Sequence, residues 1–437
     1  MSTVKGIRIK NALLGGGLTG AELETLLADP GNLGPYIEQL NLRGAVRSLT
    51  QTPQAMDIVA DSAISRDSVV GSPFAYAQVL ASPMPAGKFI AGSAGLVPAD
   101  YDDIAAVVAD PVALAAVFAD PIALDILVTS TVAMAVVADS TDAMEALVAD
   151  PTALAAAVAS TVAVDAMVAS AVALAVVADS ADAVNAFIGV PYALSAVVAS
   201  QVAMDAFAAS QVAMDEVYAS PVAVAAIFGE QRYAIYGPHP SQITVTGQGV
   251  SLWADASGNG RDFTQGTDAS RPPYTGTLGD YTVPSFDGTA DRLESTLFGA
   301  LGANWVALTV YRRTAVANGA VIFGVDVQDS LGADNVAGQA QFVNNGSDQT
   351  AVAVHAENTY GLVTWSAVVP ASINGMTAGS APDFSGTNWR IGFGRLAGGD
   401  YYFQGEIAEL VFFSAGFSQT DVDRVTRMLK VKYGLPL

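Results

Sequence analysis

Oxygen-bearing side chains alternate along one short stretch in the second half of this 437-residue chain, with the spacing of a calcium loop. Five side chains in and near it could supply ligands: Asp255, Ser257, Asn259, Asp287 and Asp291. Ca²⁺ takes oxygen ligands from alternate positions around a sharp turn, here at Gly260. However, Gly266 stands where an EF-hand places its bidentate glutamate. A calcium site and an Asx-type turn with capping aspartates therefore remain alternatives, and calcium is the one cofactor that the sequence suggests.

Paired carboxylates, the groups that glycosidases use, occur at Glu406 and Glu409. Alternation along a strand would place residues three apart on opposite faces, so the two should not converge on one bond. The two histidines, His239 and His355, are accompanied neither by a nucleophilic serine in an elbow motif nor by a cysteine. We expect both histidines on the surface or in loops. We therefore predict no catalytic residues and a protein that is not an enzyme.

Aromatic side chains could stack on the rings of a bound carbohydrate. The candidates are Tyr274, Trp365 and Trp389. Packing in a hydrophobic core is the alternative for each tryptophan, since large aromatic rings dominate cores as well as interfaces.

The elements that must position these groups lie in residues 231–437, where glycine, threonine and aromatic residues become frequent and all four tryptophans occur. Short β-type runs alternate with turn clusters at residues 306–311, 320–325, 351–355, 362–368, 390–394 and 405–413. This pattern predicts an all-β sandwich. An amphipathic pattern over residues 418–433 predicts one final helix.

Several motifs of this segment occur together in one known superfamily. They are Leu252-Trp253-Ala254-Asp255-Ala256-Ser257-Gly258-Asn259-Gly260, Arg271-Pro272-Pro273-Tyr274, Pro284-Ser285-Phe286-Asp287-Gly288 with Asp291, Gly405-Glu406-Ile407-Ala408-Glu409-Leu410, and Lys432-Tyr433-Gly434-Leu435. With these motifs, about half of the chain resembles the concanavalin A-like lectin/glucanase superfamily in its laminin-G-like, jelly-roll form. The resemblance implies a jelly-roll fold. It does not imply one function, because this fold hosts binders, enzymes and structural modules. The E-x-D-x-x-E strand pattern of the superfamily's glucanases is absent.

Twelve decapeptides run without a gap from Pro111 to Glu230, each with alanine at its third position. Ser or Asp at position ten, often followed by proline, is typical of a helix N-cap and first turn. Apolar residues at positions three, four and seven have helical spacing. We predict one two-turn helix per decapeptide and an α-solenoid over residues 51–230, with a β-solenoid as the alternative. Six layers of two helices would span about 60 Å.

Charge and composition limit the partners of this array. The chain has no cysteine and a net charge of −23, and residues 89–231 contain 17 acidic residues and no Lys or Arg. Such a surface repels nucleic acid, so we expect no nucleic-acid partner. Polar residues interrupt every decapeptide, so we also expect no membrane insertion. The first ten residues lack a signal-peptide core, which argues against secretion by that route.

Residues 1–50 are predicted to form a helical N-terminal docking segment with a basic tip. Repeats of this kind between a docking segment and a β-domain resemble those of tailed-phage virion proteins. The resemblance implies a virion structural protein, such as a tail fibre, spike or head/tail decoration protein, at the particle surface after assembly in the host cytoplasm. We expect contacts with other virion proteins through the N-terminal segment, a homo-oligomer, and adhesion to a host-surface glycan. A bacterial surface adhesin and a fibre-borne polysaccharide-degrading enzyme are the alternatives.

Overall fold

The computed structural model describes residues 50–437 with short gaps. The gaps are residues 302–303, 315–319, 326–328, 334–338, 345–346, 349–351, 355, 357, 369–370, 378–380, 382–383, 385–388 and 397–398. The predicted helices of residues 1–49 and His355 lie outside the described residues. The chain forms two compact units, Met1–Ala203 and Met204–Leu437. The boundaries predicted at residues 50/51 and 230/231 stay a prediction.

Short helices fill the described part of the chain up to the first strand. They are α1 (Pro53–Asp61), α2 (Ala63–Val70), α3 (Pro73–Leu80), α4 (Pro83–Ser93), α5 (Ile104–Ala109), α6 (Pro111–Ala119), α7 (Pro121–Thr129), α8 (Thr131–Ala138), α9 (Thr141–Ala149), α10 (Pro151–Ala159), α11 (Thr161–Ala169), α12 (Ala171–Ala178), α13 (Ala181–Gly189), α14 (Pro191–Ala199), α15 (Gln201–Ala209), α16 (Gln211–Ala219) and α17 (Pro221–Phe228). One helix per decapeptide is confirmed, and the β-solenoid alternative is wrong.

A Ser or Asp at position ten of a decapeptide sets where the next helix begins. Asp120 Oδ1 accepts hydrogen bonds from the backbone N–H groups of Ile122 and Ala123, each at 2.9 Å. Pro121 then occupies the first helical position, where its missing N–H costs nothing. Ser160 caps α11 in the same way. These side chains satisfy N–H groups that have no partner within the helix.

The first unit stacks three helices in each layer. Helix α8 packs against α11, α9 against α12, and α11 against α14. Capping serines connect the layers: Ser160 Oγ donates to the Val128 carbonyl at 2.5 Å, and Ser170 Oγ donates to the Ala138 carbonyl at 2.7 Å. The layers contain three helices and not two, a number that the sequence left open. The axes of α6 and α7 meet at 105° and those of α10 and α11 at 96°, whereas a two-helix layer needs a reversal near 180°.

The β-region contains twenty strands within the described residues. They are β1 (Arg232–Tyr236), β2 (Ile243–Thr246), β3 (Gly249–Trp253), β4 (Phe263–Thr264), β5 (Tyr274–Leu278), β6 (Tyr281–Asp287), β7 (Leu293–Ser295), β8 (Val306–Arg313), β9 (Ala320–Val325), β10 (Ser330–Ala333), β11 (Gln339–Asn344), β12 (Ser347–Asp348), β13 (Val352–Ala353), β14 (Gly361–Ser366), β15 (Ser372–Ile373), β16 (Met376–Thr377), β17 (Trp389–Ile391), β18 (Phe393–Leu396), β19 (Gly399–Tyr402) and β20 (Gln404–Phe413). Helix α18 (Gln419–Lys432) follows them.

Two antiparallel sheets form the sandwich. Sheet one has the order β16-β15-β14-β8-β20-β6-β5, with β1 also paired to β20, and sheet two has the order β12-β11-β10-β9-β17-β7-β4-β3-β2, with β13 paired to β11. Aromatic rings fill the space between the sheets: Phe412 of sheet one lies 4.6 Å from Phe323 of sheet two, ring centre to ring centre. The predicted combination of helical repeats, a β-sandwich and a final helix is confirmed. Membership of the lectin-like superfamily stays a prediction.

A β-bulge in β20 changes which way its carboxylates point. The register against β8 shifts by one residue between Ile407 and Glu409. As a result, Ile407 and Leu410 both belong to the core, although they are three residues apart. Glu406 and Glu409 therefore share the face of sheet one that points away from the core. The expectation that they lie on opposite faces is wrong because strict alternation holds only in a regular strand.

Among the described residues, no single helix is long and apolar enough to span a membrane. Four pairs of neighbouring helices are long and apolar enough when the two helices of a pair are counted together, but each pair is bent between its helices.

Candidate functional site

The two tryptophans proposed for carbohydrate stacking lie inside the sandwich. Trp365 and Trp389 are fully buried. The indole of Trp365 donates to Thr309 Oγ1 at 2.8 Å, and the Trp389 ring packs 4.6 Å from that of Phe298. Neither ring has a face open to a sugar, so both follow the core-packing alternative. Tyr274 is half-buried, and its hydroxyl donates to the Pro238 carbonyl at 3.1 Å.

The first group of proposed calcium ligands forms a hydrogen-bonded turn. Asp255 Oδ1 accepts from the backbone N–H groups of Ser257, at 2.8 Å, and Ile235, at 3.0 Å. Asp255 Oδ2 accepts from the Ser257 hydroxyl at 2.7 Å. The Asn259 amide donates to the Tyr233 carbonyl at 3.0 Å. These contacts form an Asx-type turn in which protein donors already occupy both oxygens of Asp255.

The second group, Asp287 and Asp291, caps the turn after β6. Asp287 Oδ1 accepts from the backbone N–H of Thr289 at 2.7 Å, and Asp291 Oδ2 accepts from that of Asp287 at 2.9 Å. Burial, together with the nearby Asp287 charge, raises the pKa of Asp291 to about 6. No group of three or more acidic or histidine side chains suited to a metal occurs in the described part of the chain. The calcium site stays a prediction.

A buried polar network, which the sequence did not suggest, lies in the second unit. It consists of Asp215, His239, Lys432 and Glu409. His239 Nδ1 lies 2.6 Å from Asp215 Oδ1, and Lys432 Nζ lies 2.6 Å from both His239 Nε2 and Glu409 Oε2. His239 lies in the loop between β1 and β2, within the expectation of a surface or loop residue, but its ring is fully buried and stacked on Tyr218 at 4.0 Å.

The network's charge states follow from its burial. Burial and the Lys432 charge hold the pKa of His239 well below its ordinary value, so the ring is neutral. Its Nδ1 then donates to Asp215, and its Nε2 accepts from Lys432. Burial raises the pKa of Asp215 to about 6, against the opposing effect of Lys432. Burial also raises the pKa of Glu409, partly offset by Lys432 and by hydrogen bonds to Lys432 and Tyr433.

Three tyrosines enclose the ammonium group of Lys432. Its Nζ lies 4.6 Å from the ring centre of Tyr218, 4.9 Å from that of Tyr433 and 5.0 Å from that of Tyr281. The hydroxyls of Tyr218 and Tyr433 donate to Glu409. Such ring faces stabilise a desolvated cation. Because the side chains of Lys432 and Glu409 are fully buried, this part of the network holds α16, β20 and α18 together, and only Asp215 is partly exposed.

An open polar cleft on sheet two is the candidate binding site. Its volume is about 410 Å³, and its lining residues are Asp262, Thr264, Gln265, Gly266, Glu294, Ser295, Thr296, Leu297, Trp389 and Arg390. Thr264, Glu294 and Arg390 stand opposite one another on the adjacent strands β4, β7 and β17. Directly paired residues share one face of a sheet, so strand pairing alone aligns a hydroxyl, a carboxylate and a guanidinium.

Glu294 is the central charged group of the polar cleft. Its Oε1 accepts hydrogen bonds from the Nε atoms of Arg292, at 2.7 Å, and Arg390, at 3.1 Å. Partial burial opposes ionisation, but these two guanidinium groups hold the pKa of Glu294 below its ordinary value. Glu294 is therefore a fixed anion. Its Oε2 has no hydrogen bond to another described residue, which leaves an acceptor for a ligand.

Two further lining groups add a second carboxylate and an apolar surface to the cleft. Asp262 Oδ1 accepts from the backbone N–H of Asp255 at 2.8 Å, and the side chain of Leu297 is 68% exposed beside the polar groups. A small number of fixed polar groups beside an apolar surface suits a ligand that carries both hydroxyl groups and C–H faces. The sequence did not reveal these residues, since strand pairing joins positions as far apart as Glu294 and Arg390.

Comparisons with known proteins concern structure only, because no protein-family profile and no curated protein sequence matches the chain. A sialidase of Trypanosoma rangeli is similar with a TM-score of 0.33 and 9% identity over 46% of this chain and 33% of that one. Botulinum neurotoxin type C, in a structure concerned with its interaction with two ganglioside molecules, gives a TM-score of 0.31 and 10% identity over 47% and 53% of the two chains. A GH54 α-L-arabinofuranosidase gives 0.28 and 16% over 43% and 52%.

Two of the three proteins are glycosidases, and the structure of the third concerns its interaction with gangliosides. The prediction that this chain is not an enzyme is corrected by that finding, because enzymes are among the proteins of similar structure. This chain spans about a third of the sialidase and about half of the other two proteins. At these TM-scores the likeness by itself assigns neither an activity nor a ligand.

Proposed function

We propose that this protein binds a carbohydrate in the polar cleft of its β-sandwich. The observation that carries the proposal is the row of Thr264, Glu294 and Arg390, held in register by strand pairing beside an exposed leucine. The Glu294 carboxylate accepts hydrogen bonds from sugar hydroxyls, and the Thr264 hydroxyl can accept or donate them. The fixed charge of Glu294 makes such hydrogen bonds stronger than neutral ones.

Glycan binding is tested with the full chain on an array of bacterial surface glycans, followed by calorimetry with the best ligand. A hydrogen bond to a charged group is worth about 1.5–3 kcal/mol, so Glu294→Gln should weaken binding about ten-fold or more. Asp280→Asn is the matched control, since Asp280 is an exposed carboxylate that does not line the cleft. Equal binding by both variants, or no glycan bound by the wild type, would contradict the proposal.

We further propose that the helical repeats act as a spacer in a tailed-phage particle, as a fibre, spike or decoration protein. The acidic repeat surface supports this, because like charges keep crowded copies of a surface protein apart. In this proposal residues 1–50 contact other virion proteins, and copies of the chain associate at the particle surface after assembly in the host cytoplasm. Mass spectrometry and antibody labelling of purified particles test it. Recovery from a cell envelope without particles would favour the bacterial adhesin instead.

Hydrolysis of a polysaccharide is a second candidate function, favoured by one observation. Asp262 and Glu294 both line the cleft, and paired carboxylates in one cleft are what glycoside hydrolysis requires. The lowered pKa of Glu294 suits a nucleophile or base. Release of reducing ends from bacterial polysaccharides, abolished in both Asp262→Asn and Glu294→Gln, would establish this function. Binding without turnover would reject it.

A further inference from the structure

A large open groove lies among the helices of the first unit. It is about 920 Å³ in volume and is formed by α9, α10, α12 and α13. Its apolar lining consists of Val148, Ala149, Pro151, Leu154, Ala155, Ala175, Val176 and Ala186. Three carboxylates, those of Glu145, Asp179 and Asp182, line the same groove from exposed positions. The groove therefore combines apolar contact surface with negative charge.

The groove's carboxylates have no cation of their own. None of the three forms an ion pair with another residue in the described ranges, and residues 89–231 contain no Lys or Arg at all. Their mutual repulsion is unrelieved within the repeats, so a ligand that carries both positive charge and apolar side chains would complement the groove.

One segment of this chain outside the described residues has that composition. Residues 4–10 read Val-Lys-Gly-Ile-Arg-Ile-Lys, and the first ten residues contain three basic side chains and no acidic one. Lys5, Arg8 and Lys10 match the three carboxylates in number and sign. Val4, Ile7 and Ile9 supply the apolar side chains that the groove can bury.

We propose that residues 4–10 dock in the groove formed by α9, α10, α12 and α13 of their own chain. The chain between residue 10 and α1 is long enough in either form, because about 40 residues reach roughly 35 Å as a random coil and roughly 60 Å as a helix. Successive helical layers lie about 10 Å apart, so a segment of this reach can cross several of them. Attachment to the same chain gives the segment a high effective concentration at the groove, so a weak contact suffices. The proposal does not depend on what the sandwich binds, and it leaves residues 11–50 for contacts with other virion proteins.

Zero-length carbodiimide cross-linking of the full chain tests the docking, because this reagent joins an amine to a carboxylate in direct contact. We expect links from Lys5 or Lys10 to Glu145, Asp179 or Asp182. A mixture of ¹⁴N- and ¹⁵N-labelled chains should give no mixed links. Mixed links would show that a second copy supplies the segment and would overturn the proposal for the same chain. Links spread evenly over all carboxylates of the repeats, or none to this groove, would overturn it entirely.

Trypsin cleavage after Lys10 provides an independent measurement on the same full chain. An exposed ion pair changes an equilibrium by up to about five-fold, so Glu145→Gln with Asp182→Asn should accelerate cleavage roughly three- to ten-fold. The matched control, Asp139→Asn with Asp165→Asn, removes two charges from a neighbouring groove of about 420 Å³. This control should leave the cleavage rate within two-fold of wild type, as roughly expected when no ion pair is lost. Equal acceleration by both variants would mean general attraction to an acidic surface and would refute docking at this site.

Discussion

Replacing Lys432 by methionine should destabilise the second unit by about 3 kcal/mol, because it leaves the Glu409 carboxylate buried without its counter-ion. Breaking a buried ion pair by removing one partner costs about 3–5 kcal/mol. Both side chains are fully buried and their charged atoms lie 2.6 Å apart. The hydroxyls of Tyr218 and Tyr433 still donate to the carboxylate, which places the cost near the lower end of that range.

Urea unfolding followed by tryptophan fluorescence measures this loss, since all four tryptophans lie in the sandwich. A loss of 3 kcal/mol lowers the midpoint by roughly 1–3 M urea, given slopes of about 1–3 kcal/mol/M. Lys430→Met on the same helix is the control and should change stability by less than about 0.5 kcal/mol. Lys430 is only partly buried, whereas Lys432 is buried.

The double variant Glu409→Gln with Lys432→Met separates the charge from the packing. Removing both charges should recover part of the stability lost in Lys432→Met, since no unpaired charge remains buried. The reasoning is refuted if Lys432→Met unfolds at the wild-type midpoint. It is also refuted if the double variant is less stable than Lys432→Met by the full cost of a second independent substitution.

Three further predictions address the pH dependence and the repeats. Burial raises the pKa of Asp215 above its unfolded value to about 6, so protonation of Asp215 stabilises the fold as pH falls from 7 toward 4. The Asp215→Asn variant should lack this gain. If the urea midpoints of wild type and variant change equally between pH 7.5 and pH 4.5, the prediction is disproved. Asp120→Ala removes a helix cap and should cost about 1 kcal/mol in far-UV circular dichroism melts, whereas Asp125→Ala at an exposed helical position should cost less than about 0.5 kcal/mol. Ala153→Val overpacks a fully buried site and should lower the stability by about 1–3 kcal/mol in the same assay. Ala155→Val, at an exposed position, should change the stability little. Equal effects of the two substitutions would argue against close packing of the layers.

The helical repeats were predictable because the forces that define them act over a few residues. A capping side chain such as Asp120 reaches N–H groups two and three positions ahead, so the period of the caps is also the period of the helices. The strands of the sandwich were predictable for a similar reason, since alternation and turn residues are local signals.

The candidate site was not predictable, because its residues meet only after the strands pair. Thr264, Glu294 and Arg390 belong to three strands that are separated along the chain and adjacent in sheet two. The aromatic residues chosen from the sequence were misplaced for a related reason. A tryptophan in the sequence looks the same whether its ring faces a bound sugar or the hydrophobic core, and only its burial in the structure distinguishes the two roles.

The sequence by itself determined where each helix of the array begins, which positions it buries, and that a β-rich segment with a final helix follows. Only the tertiary structure decided how these elements meet. The bend of about 100° between successive helices sets three helices per layer, and a single bulge in β20 turns Glu406 and Glu409 to the same face. Helix packing likewise buries Lys432 beside Glu409 and His239. Cap and alternation preferences act within a few residues, whereas bend angles, strand register and burial arise from packing between distant parts of the chain.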